Sequence, residues 1–291
     1  ERCGSQLRSG YDFRTARRSL NLLTIEWANR GINLWTVEQG QILMNSYQSV
    51  YALPVDTIDL LDQVIRTNNG SQSNQIDINI SRISESTYMS IPNKNTNGRP
   101  IQVYINRQSG TKPRVASTTL TASITSTDTT ITLADASGLP TVGFIDIGTE
   151  TIGYQNIVGN QILNAWRGQN GTTAAAHSAS ADVTPNYLPC INVWPSPNPP
   201  GDQYTFVYYR LRRMQDAGSG TYEQDIPFRF VPCMVAGLAY YLALKVPGGT
   251  ERLMILKQQY DEAWELASTE DREKAAVRFV PRHMCISGGG Y

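Results

Sequence analysis

The sequence predicts an α+β fold with three parts. These are a helical bundle built from the N-terminal helix and the C-terminal helices, a mainly antiparallel β domain, and an inserted small all-β module of sandwich or barrel type. Apolar residues recur at helical spacing near both ends of the chain and alternate at strand spacing between them. We assign residues 1–40 and 214–291 to the bundle and residues 41–116 and 184–213 to the β domain. An abrupt change of composition marks residues 117–183 as the module.

Length and charge set the first limits on function. The chain has 291 residues, which is enough for about two domains. Its formal net charge is zero, so it lacks the overall basic field of a free nucleic-acid-binding protein. The module contains one arginine and five acidic residues, a net charge of −4, so the rest of the chain carries +4. Only 17% of the residues are charged, which suits a protein whose surface is largely covered by neighbours.

An amphipathic helix is predicted near residues 12–30. Its apolar stripe recurs at steps of three and four and consists of Phe13, Ala16, Leu20, Leu23 and Trp27. Because each residue turns by about 100°, Arg14, Arg17 and Arg18 fall on the flank and back of this stripe. Gly31 is expected to end the helix, since glycine readily takes the left-handed conformation that follows many helices.

The middle of the chain has the pattern of β-strands. Residues 41–107 contain several alternating runs, and a short helix is predicted over 85–94. The segments IQVYINRQ (101–108) and INVWPSP (191–197) are predicted to be strands of one sheet, with the module in the connection between them. Residues 203–213 predict a further strand of the same domain.

Two helices are predicted near the C-terminus. Residues 230–245 are apolar on nearly every face but too few to span a membrane, so we expect a central core helix. The next helix is expected to begin with Thr250 as its N-cap. Its apolar positions are Leu253, Leu256, Tyr260, Trp264 and Ala267. After Val277 the periodicity is lost and the chain ends in glycines.

Residues that usually carry catalysis are sparse. The chain has two histidines, His177 and His283, and no HExxH, GxSxG or P-loop motif. We expect His177 to be a polar loop residue rather than a metal or substrate ligand. The carboxylates of Asp59, Asp62, Glu270, Asp271 and Glu273 are expected to lie on solvated faces rather than to act as acid or base. No metal or cofactor site is predicted, and we expect that the protein is not an enzyme.

The four cysteines indicate neither a disulfide scaffold nor a zinc site. Cys3, Cys190, Cys233 and Cys285 are far apart and have no CxxC spacing. We expect free, mostly buried thiols in a reducing cytoplasm. Cys233 lies within the apolar helix, so its thiol is expected to be unreactive.

Two groups of arginines carry more information. Arg14, Arg17 and Arg18 form a cationic strip on the first helix, and a second strip consists of Arg210, Arg212 and Arg213. One interpretation is salt bridges within or between subunits. The other is contact with phosphates without base readout, because no base-reading motif lies nearby. In a symmetric ring, a strip on each subunit would join into a continuous belt.

Five segments of the chain together resemble the head-to-tail adaptor proteins of tailed bacteriophages, and specifically the tail tubular protein A type of short-tailed phages. The module separately resembles small β modules found in many phage structural proteins, although compact adaptors lack a module at this point. The five segments are SGYDFRTARRSLNLLTIEWANRGINLW (9–35), GRPIQVYINRQ (98–108), INVWPSP (191–197), YTFVYYRLRRMQDAG (204–218) and QDIPFRFVPCMVAGLAYYLALKVP (224–247).

The resemblance implies a non-enzymatic ring, usually of twelve subunits, beneath the portal. The ring would extend the DNA channel, pass double-stranded DNA without sequence readout, and provide the attachment platform for tail nozzle, tube or fibre proteins. It would be assembled in the host cytoplasm and located in the virion at the head–tail interface, without contact with a membrane. Arg14, Arg17 and Arg18 would face the channel. The candidate portal-docking arm consists of Arg278, Phe279, Val280 and Arg282.

A second hypothesis comes from another class of protein. The chain would be a tail-located structural protein that binds a carbohydrate or receptor through the module. Its candidate sugar-stacking residues are Trp166, Tyr154 and Phe144, and the alternative role for these aromatic residues is packing in the small β core. An enzyme such as a depolymerase ranks third, since no pair of carboxylates stands out.

Overall fold

The fold is mixed α+β, as the sequence predicts. The computed structural model describes six stretches, residues 10–31, 34–108, 117–198, 204–215, 225–245 and 249–271. In them the chain forms four α-helices and several largely antiparallel sheets, none of which closes on itself. The chain divides into two units, one made of Glu1–Trp35 with Met214–Tyr291 and the other of Thr36–Arg213.

The first unit is helical. Its helices are α1 (Gly10–Asn29), α3 (Val231–Ala243) and α4 (Leu253–Glu270), with short 3-10 turns at Leu34–Thr36, Phe228–Phe230 and Gly249–Arg252. Helix α1 ends before Gly31, whose φ of +73° is the left-handed conformation predicted for it. The prediction for Thr250 is wrong, because α4 begins only at Leu253 and Arg252 occupies its N-cap position.

Helix α3 packs against both α1 and α4, so it is central to this unit, as its apolar sequence predicts. Gly237 makes the close approach possible. A Cβ atom at this position would lie 2.7 Å from Leu23 Cδ1 of α1 and 2.9 Å from Tyr260 Cε2 of α4. Not every side of α3 is covered in the described structure, since Val231 and Val235 remain partly exposed.

Aromatic rings fill the core between the helices. The Trp27 ring lies 5.5 Å from both Phe230 and Trp264, measured between centroids. Trp27 and Leu23 are fully buried, which confirms that part of the predicted stripe. Phe13, in contrast, is 60% exposed. Among the described residues, Ala16 is the first of α1 to pack against the apolar cluster formed by α3 and α4. Phe13 lies one turn before it and is therefore not covered by those helices.

Polar groups in the helical core are satisfied through Glu26. Its carboxylate accepts hydrogen bonds from Tyr241 Oη at 2.8 Å and Tyr260 Oη at 3.2 Å. Trp27 Nε1 in turn donates to Tyr260 Oη at 2.9 Å. Arg30 forms an ion pair with Glu26, and its guanidinium lies 4.6 Å from the centroid of Trp264. These contacts connect the C-terminal half of α1 to both other helices.

The second unit contains a β-sandwich. Its first sheet has the spatial order β1 (Val37–Leu43), β16 (Tyr204–Arg212), β3 (Thr57–Thr67) and β4 (Ile76–Asn79). Its second sheet has the order β2 (Val50–Ala52), β15 (Cys190–Trp194), β6 (Gln102–Asn106) and β5 (Ser81–Arg82). Helix α2 (Glu85–Met89) is shorter than predicted and begins with Ser84, whose side chain accepts a hydrogen bond from Thr87 N.

The two sheets share one hydrophobic core. The largest fully buried side chains in it are Phe206, Met44, Leu53, Leu60 and Ile65. Strands β6 and β15 pair along their whole length, with Ile105 opposite Ile191. This is the pairing that the sequence predicts for the strands on either side of the module.

The module, which the sequence bounded at residues 117–183, extends in the structure to residue 186, the end of its last strand. It forms two further sheets. The five-stranded sheet has the order β13 (Trp166–Gln169), β10 (Glu150–Tyr154), β9 (Gly143–Ile147), β14 (Asp182–Asn186) and β7 (Thr118–Thr119). The three-stranded sheet has the order β11 (Asn156–Val158), β12 (Gln161–Leu163) and β8 (Ile131–Thr132). A separate core of isoleucine, leucine and valine side chains and Tyr154 lies within the module.

The module also packs against the sandwich. Val50 and Cys190 of the sandwich form a small apolar cluster with Phe144 of the module and Leu188. The buried amide of Gln48 donates through Nε2 to Gln169 Oε1 of the module at 2.9 Å. The two parts therefore share an interface within the unit Thr36–Arg213.

The close approach at Gly237 yields the first prediction. We expect Gly237→Val to lower the free energy of unfolding of the helical unit by about 1–3 kcal/mol, because the added carbons overlap Leu23 and the Tyr260 ring. Denaturant titration followed by circular dichroism at the helical band measures the change. The matched control is Gly10→Val, where nothing lies within 4 Å of the new Cβ. Equal stability of the two variants would contradict the packing described for α3.

Candidate functional site

The three arginines predicted to contact phosphate lie together on α1. Arg14, Arg17 and Arg18 are all exposed. Leu22 and Ile25, farther along the helix, are also exposed. At about 100° per residue, Arg14, Arg18, Leu22 and Ile25 fall within roughly 80° of one another. One face of α1 is therefore basic in its N-terminal half and apolar in its C-terminal half.

The second arginine strip is not available to phosphate. Arg210 is buried and donates from Nη1 to Asp56 Oδ1 at 2.6 Å and from Nη2 to Glu38 Oε2 at 2.8 Å. Arg212 is also buried and donates from Nε to Glu38 Oε1 at 2.6 Å. Of the three residues only Arg213 is exposed. The salt-bridge interpretation is therefore correct for Arg210 and Arg212.

Asp59 also differs from its prediction. We expected a solvated carboxylate, but its two oxygens accept hydrogen bonds from Arg82 Nη2 at 2.7 Å and Arg107 Nη2 at 2.9 Å. Segments of two different sheets bring these residues together, so the contact has no signature in the linear sequence. Asp62 is exposed, as predicted.

The prediction of a solvated carboxylate is wrong for Asp271, which is buried and forms an ion pair with Arg229. Glu273 and the side chain of Glu270 lie outside the part of the chain that the structure describes.

The predicted docking arm lies outside the described residues. This applies to Arg278, Phe279, Val280 and Arg282 and equally to His283, Cys3 and Cys285. The two described cysteines, Cys190 and Cys233, are free and buried, and burial raises the pKa of each thiol to about 12. Their thiols are therefore protonated and unreactive at neutral pH. Among the described residues no three His, Cys, Asp or Glu side chains are grouped so that they could hold a metal ion.

The module contains a buried ion cluster that the sequence analysis missed. Its members, Glu150, Arg167 and His177, form what we call the Glu150 cluster. The Glu150 side chain is 0% exposed. Arg167 donates from Nε to Oε1 and from Nη2 to Oε2, both at 2.8 Å. His177 Nε2 lies 2.8 Å from Oε2. His177 is thus part of the module's internal structure, where we had predicted a polar loop residue.

Backbone groups complete the Glu150 cluster. Gly168 N donates to Glu150 Oε1 at 3.0 Å and Ala175 N donates to Oε2 at 3.1 Å. Burial by itself would raise the pKa of Glu150. The hydrogen bonds from Arg167, His177, Ala175 N and Gly168 N outweigh burial and lower the pKa to about 2. The carboxylate is therefore ionised at neutral pH, so His177 Nε2 donates its proton to it.

Arg167 uses its remaining donors on loop carbonyls. Nη1 donates to Thr125 O at 2.5 Å and Asp128 O at 3.1 Å, and Nη2 donates to Ala175 O at 2.6 Å. A planar guanidinium suits this role because its five donors point in fixed directions. The single arginine among five acids in the module was the sequence signal that could have revealed this cluster.

Two of the three predicted sugar-stacking aromatic residues are core residues. Tyr154 is fully buried and Phe144 is almost so, and Tyr154 Oη donates to Pro140 O at 3.0 Å. Burial raises the pKa of Tyr154. The stacking role is therefore wrong for Phe144 and Tyr154. Trp166 is partly exposed.

The helical unit exposes many large apolar side chains. They occur on all three long helices and include Phe13, Leu22, Ile25, Val235, Met254, Ile255 and Leu266. Met254 is 82% exposed and Leu266 is 75% exposed. A groove of about 740 Å³ lies between α3 and α4, lined in part by Pro232 and Ile255. No described helix has both the length and the apolar character that a bilayer crossing requires.

Comparison with known protein families gives no match, and comparison with curated proteins gives no significant match. The assignment of function therefore rests on the residues and their geometry.

The Glu150 cluster yields the second prediction. We expect Glu150→Gln to destabilise the module by roughly 3–5 kcal/mol at neutral pH, because it leaves buried Arg167 without its counter-charge. The lowered pKa also sets a pH dependence. The ionised Glu150 carboxylate contributes fully to the folding stability of the module above its ordinary pKa of 4.5. This contribution is lost as pH falls toward about 2, because the lowered pKa of the folded state is then reached. Denaturant unfolding monitored by tryptophan fluorescence measures the effect of the substitution at neutral pH. The same measurement repeated from pH 4.5 down to about 2 measures the pH dependence.

The matched control for this prediction is Asp182→Asn, an acid-to-amide change at an exposed position of the module. We expect it to change stability by less than about 0.5 kcal/mol. If wild type and Glu150→Gln lost stability in parallel below pH 4.5, the role assigned to the Glu150 carboxylate would be wrong.

Proposed function

We propose that this chain is a structural virion protein that forms the head-to-tail adaptor ring of a tailed bacteriophage. The ring, of twelve subunits, binds beneath the portal, extends the DNA channel and provides the attachment platform for the tail. In this proposal the helical unit is a bundle that mediates assembly, the sandwich is the β domain, and the module is an insertion between β6 and β15. The protein has no catalytic role in this assembly.

The observation that carries the proposal is the exposed apolar surface of the helical unit. Monomeric proteins rarely leave such surface uncovered, and larger patches usually mark protein interfaces. A closed ring needs two different complementary patches on each subunit, because its contacts are heterologous. The C-terminal half of the α1 face supplies one such patch, and the exposed apolar side chains of α4, Met254, Ile255 and Leu266, supply the other.

The distribution of arginines supports a channel lined by α1. Arg210, Arg212, Arg82 and Arg107 are engaged in ion pairs within the sandwich. Arg14, Arg17 and Arg18 on α1 are exposed instead. Three cations on one helix offer phosphate contacts without base readout, which is what DNA passage requires. A neutral subunit acquires a basic belt only when twelve copies place their strips around one axis.

The charge of the module supports a position on the outside of the ring. Its net charge of −4 would repel DNA phosphates, so it would be a poor lining for the channel. The module would contact the capsid collar, a tail fibre or solvent.

Assembly yields the third prediction. We expect the full-length protein, mixed with the portal of the same virus, to form rings of portal symmetry in electron micrographs. Met254→Glu should abolish these rings, because it places a charge at the centre of a desolvated interface. The side chain is exposed in the subunit, so circular dichroism should remain unchanged. Absence of any association between wild-type protein and portal would overturn the proposed function.

The matched control is Val158→Glu, which places the same charge on an exposed apolar position of the module. It should leave ring formation intact. If Met254→Glu formed rings as readily as Val158→Glu, the α4 side would not be the subunit interface.

The channel strip yields the fourth prediction. We expect Arg18→Gln to weaken the binding of random-sequence DNA duplexes to the assembled ring, measured by fluorescence anisotropy. It should also flatten the salt dependence of binding, since each lost phosphate contact lowers the slope of log K against log salt by about 0.9. Arg99→Gln, at an exposed arginine of the sandwich, is the control and should change neither quantity. If the two substitutions had equal effects, the proposal that α1 lines the DNA channel would be wrong.

A further inference from the structure

A cleft of about 440 Å³ opens between the module and the sandwich, within the unit Thr36–Arg213. This volume lies in the range of small-molecule sites, about 300–1,000 Å³. We call it the amide cleft after its most frequent side chains. The lining residues that matter to the argument are Tyr47, Asn95, Gln155, Asn164, Trp166 and Ser196.

The described residues that line the amide cleft are uncharged. They present amides, hydroxyls, two aromatic rings and one alanine. An amide presents a donor and an acceptor side by side, which matches two adjacent hydroxyl groups of a sugar. A charged ligand would lose its hydration here without gaining a counter-charge. The cleft therefore favours a neutral, hydroxyl-rich ligand.

Two aromatic rings give the cleft an apolar surface. Tyr47, on the sandwich side, is 53% exposed, and Trp166, on the module side, is partly exposed. Large flat rings with a polar edge combine apolar contact with hydrogen bonding at low entropic cost. The C–H face of a sugar ring offers the matching apolar surface. Trp166 thus keeps the stacking role that burial excludes for Phe144 and Tyr154.

Two of the five described non-glycine residues with positive φ line the cleft. Tyr47 has a φ of +64° and Asn164 a φ of +53°. Asparagine tolerates the left-handed region, but a bulky side chain such as tyrosine is rare there and costs roughly 1–2 kcal/mol. Tyr47 N donates to Pro197 O at 2.8 Å, which holds the strained turn. Strain of this kind accumulates at ligand sites, where it fixes a side chain in a working position.

Ser196 lines the cleft with an unpartnered hydroxyl group. Its residue is 1% exposed, and its Oγ has no hydrogen-bond partner among the described residues. Buried hydroxyl groups are nearly always hydrogen-bonded, so this one is a candidate to bond with a group that enters the cleft. Across the cleft, Gln155 Nε2 and Asn95 Oδ1 are 3.3 Å apart, a long contact that a ligand hydroxyl could replace.

We propose that the amide cleft binds a neutral oligosaccharide, with Tyr47 and Trp166 stacking on sugar rings and Asn95, Gln155 and Asn164 bonding to its hydroxyl groups. We propose binding without cleavage, because glycoside hydrolysis uses two carboxyl groups and none of the described residues that line the cleft carries one. The proposal is independent of ring assembly.

The fifth prediction tests this site with the full-length protein. The probes are neutral tetrasaccharides of glucose, galactose, mannose and N-acetylglucosamine, with polygalacturonate and a sulfated tetrasaccharide as charged comparisons. We expect at least one neutral probe to bind in calorimetry and to show saturation-transfer signals from its ring protons. Tyr47→Gly should weaken that binding about tenfold or more, equivalent to about 1.4 kcal/mol. Its fold should be retained, because glycine relieves the strain at φ +64°.

A second variant and a matched control complete the test. Asn164→Asp keeps the shape of the side chain but adds a negative charge and removes two donors, so it should also weaken binding about tenfold. Asn68→Gly changes an exposed residue at φ +51° outside the cleft and should bind as wild type does. The proposal is overturned if no neutral probe binds with a Kd below about 10 mM. Preference for the charged probes, or undiminished binding by Tyr47→Gly, would overturn it equally.

Discussion

The pairing of β6 with β15 is the constraint on which the second unit depends. It brings Ile105 and Ile191 side by side in the sandwich core, although the whole module lies between them in sequence. The chain must therefore leave and re-enter the sheet at neighbouring points. The module can meet this requirement only by folding around its own core, with its first and last strands close together. The amide cleft lies between these two parts of the unit, and both contribute to its lining.

Each core of this protein contains a buried or half-buried carboxylate that joins several donors. In the sandwich, Glu38 and Asp56 neutralise buried arginines, and in the module Glu150 accepts hydrogen bonds from Arg167, His177 and two backbone N–H groups. In the helical unit, Glu26 joins three side chains that donate to it. The arginines of α1, in contrast, are exposed.

Sequence periodicity predicted the α+β class and the three long helices, because each depends on spacing within short segments. The β6–β15 pairing was inferred instead from the change of composition between these two segments. Side-chain contacts between distant residues were not predictable in either way. Glu150 and Arg167 lie on paired strands and His177 lies on a separate β-bridge, and the pairing of Asp59 with two arginines needs two sheets. Burial of Phe144 and Tyr154 likewise depends on which other parts of the folded chain pack against their strands. Alternation locates a strand but does not show which neighbour will bury it.

The first and last strands of the module are hydrogen-bonded to each other, with Thr118 opposite Val183 and Thr119 opposite Asp182. The entrance and exit of the folded segment are therefore adjacent, and every member of its ion cluster is its own. A segment with adjacent ends and a core of its own can be exchanged between proteins as a unit, because any two neighbouring antiparallel strands offer the same two attachment points. A new host would have to provide partners for the contacts made with the sandwich, which are the apolar cluster around Val50 and Leu188 and the hydrogen bonds of Gln169 and Gln155.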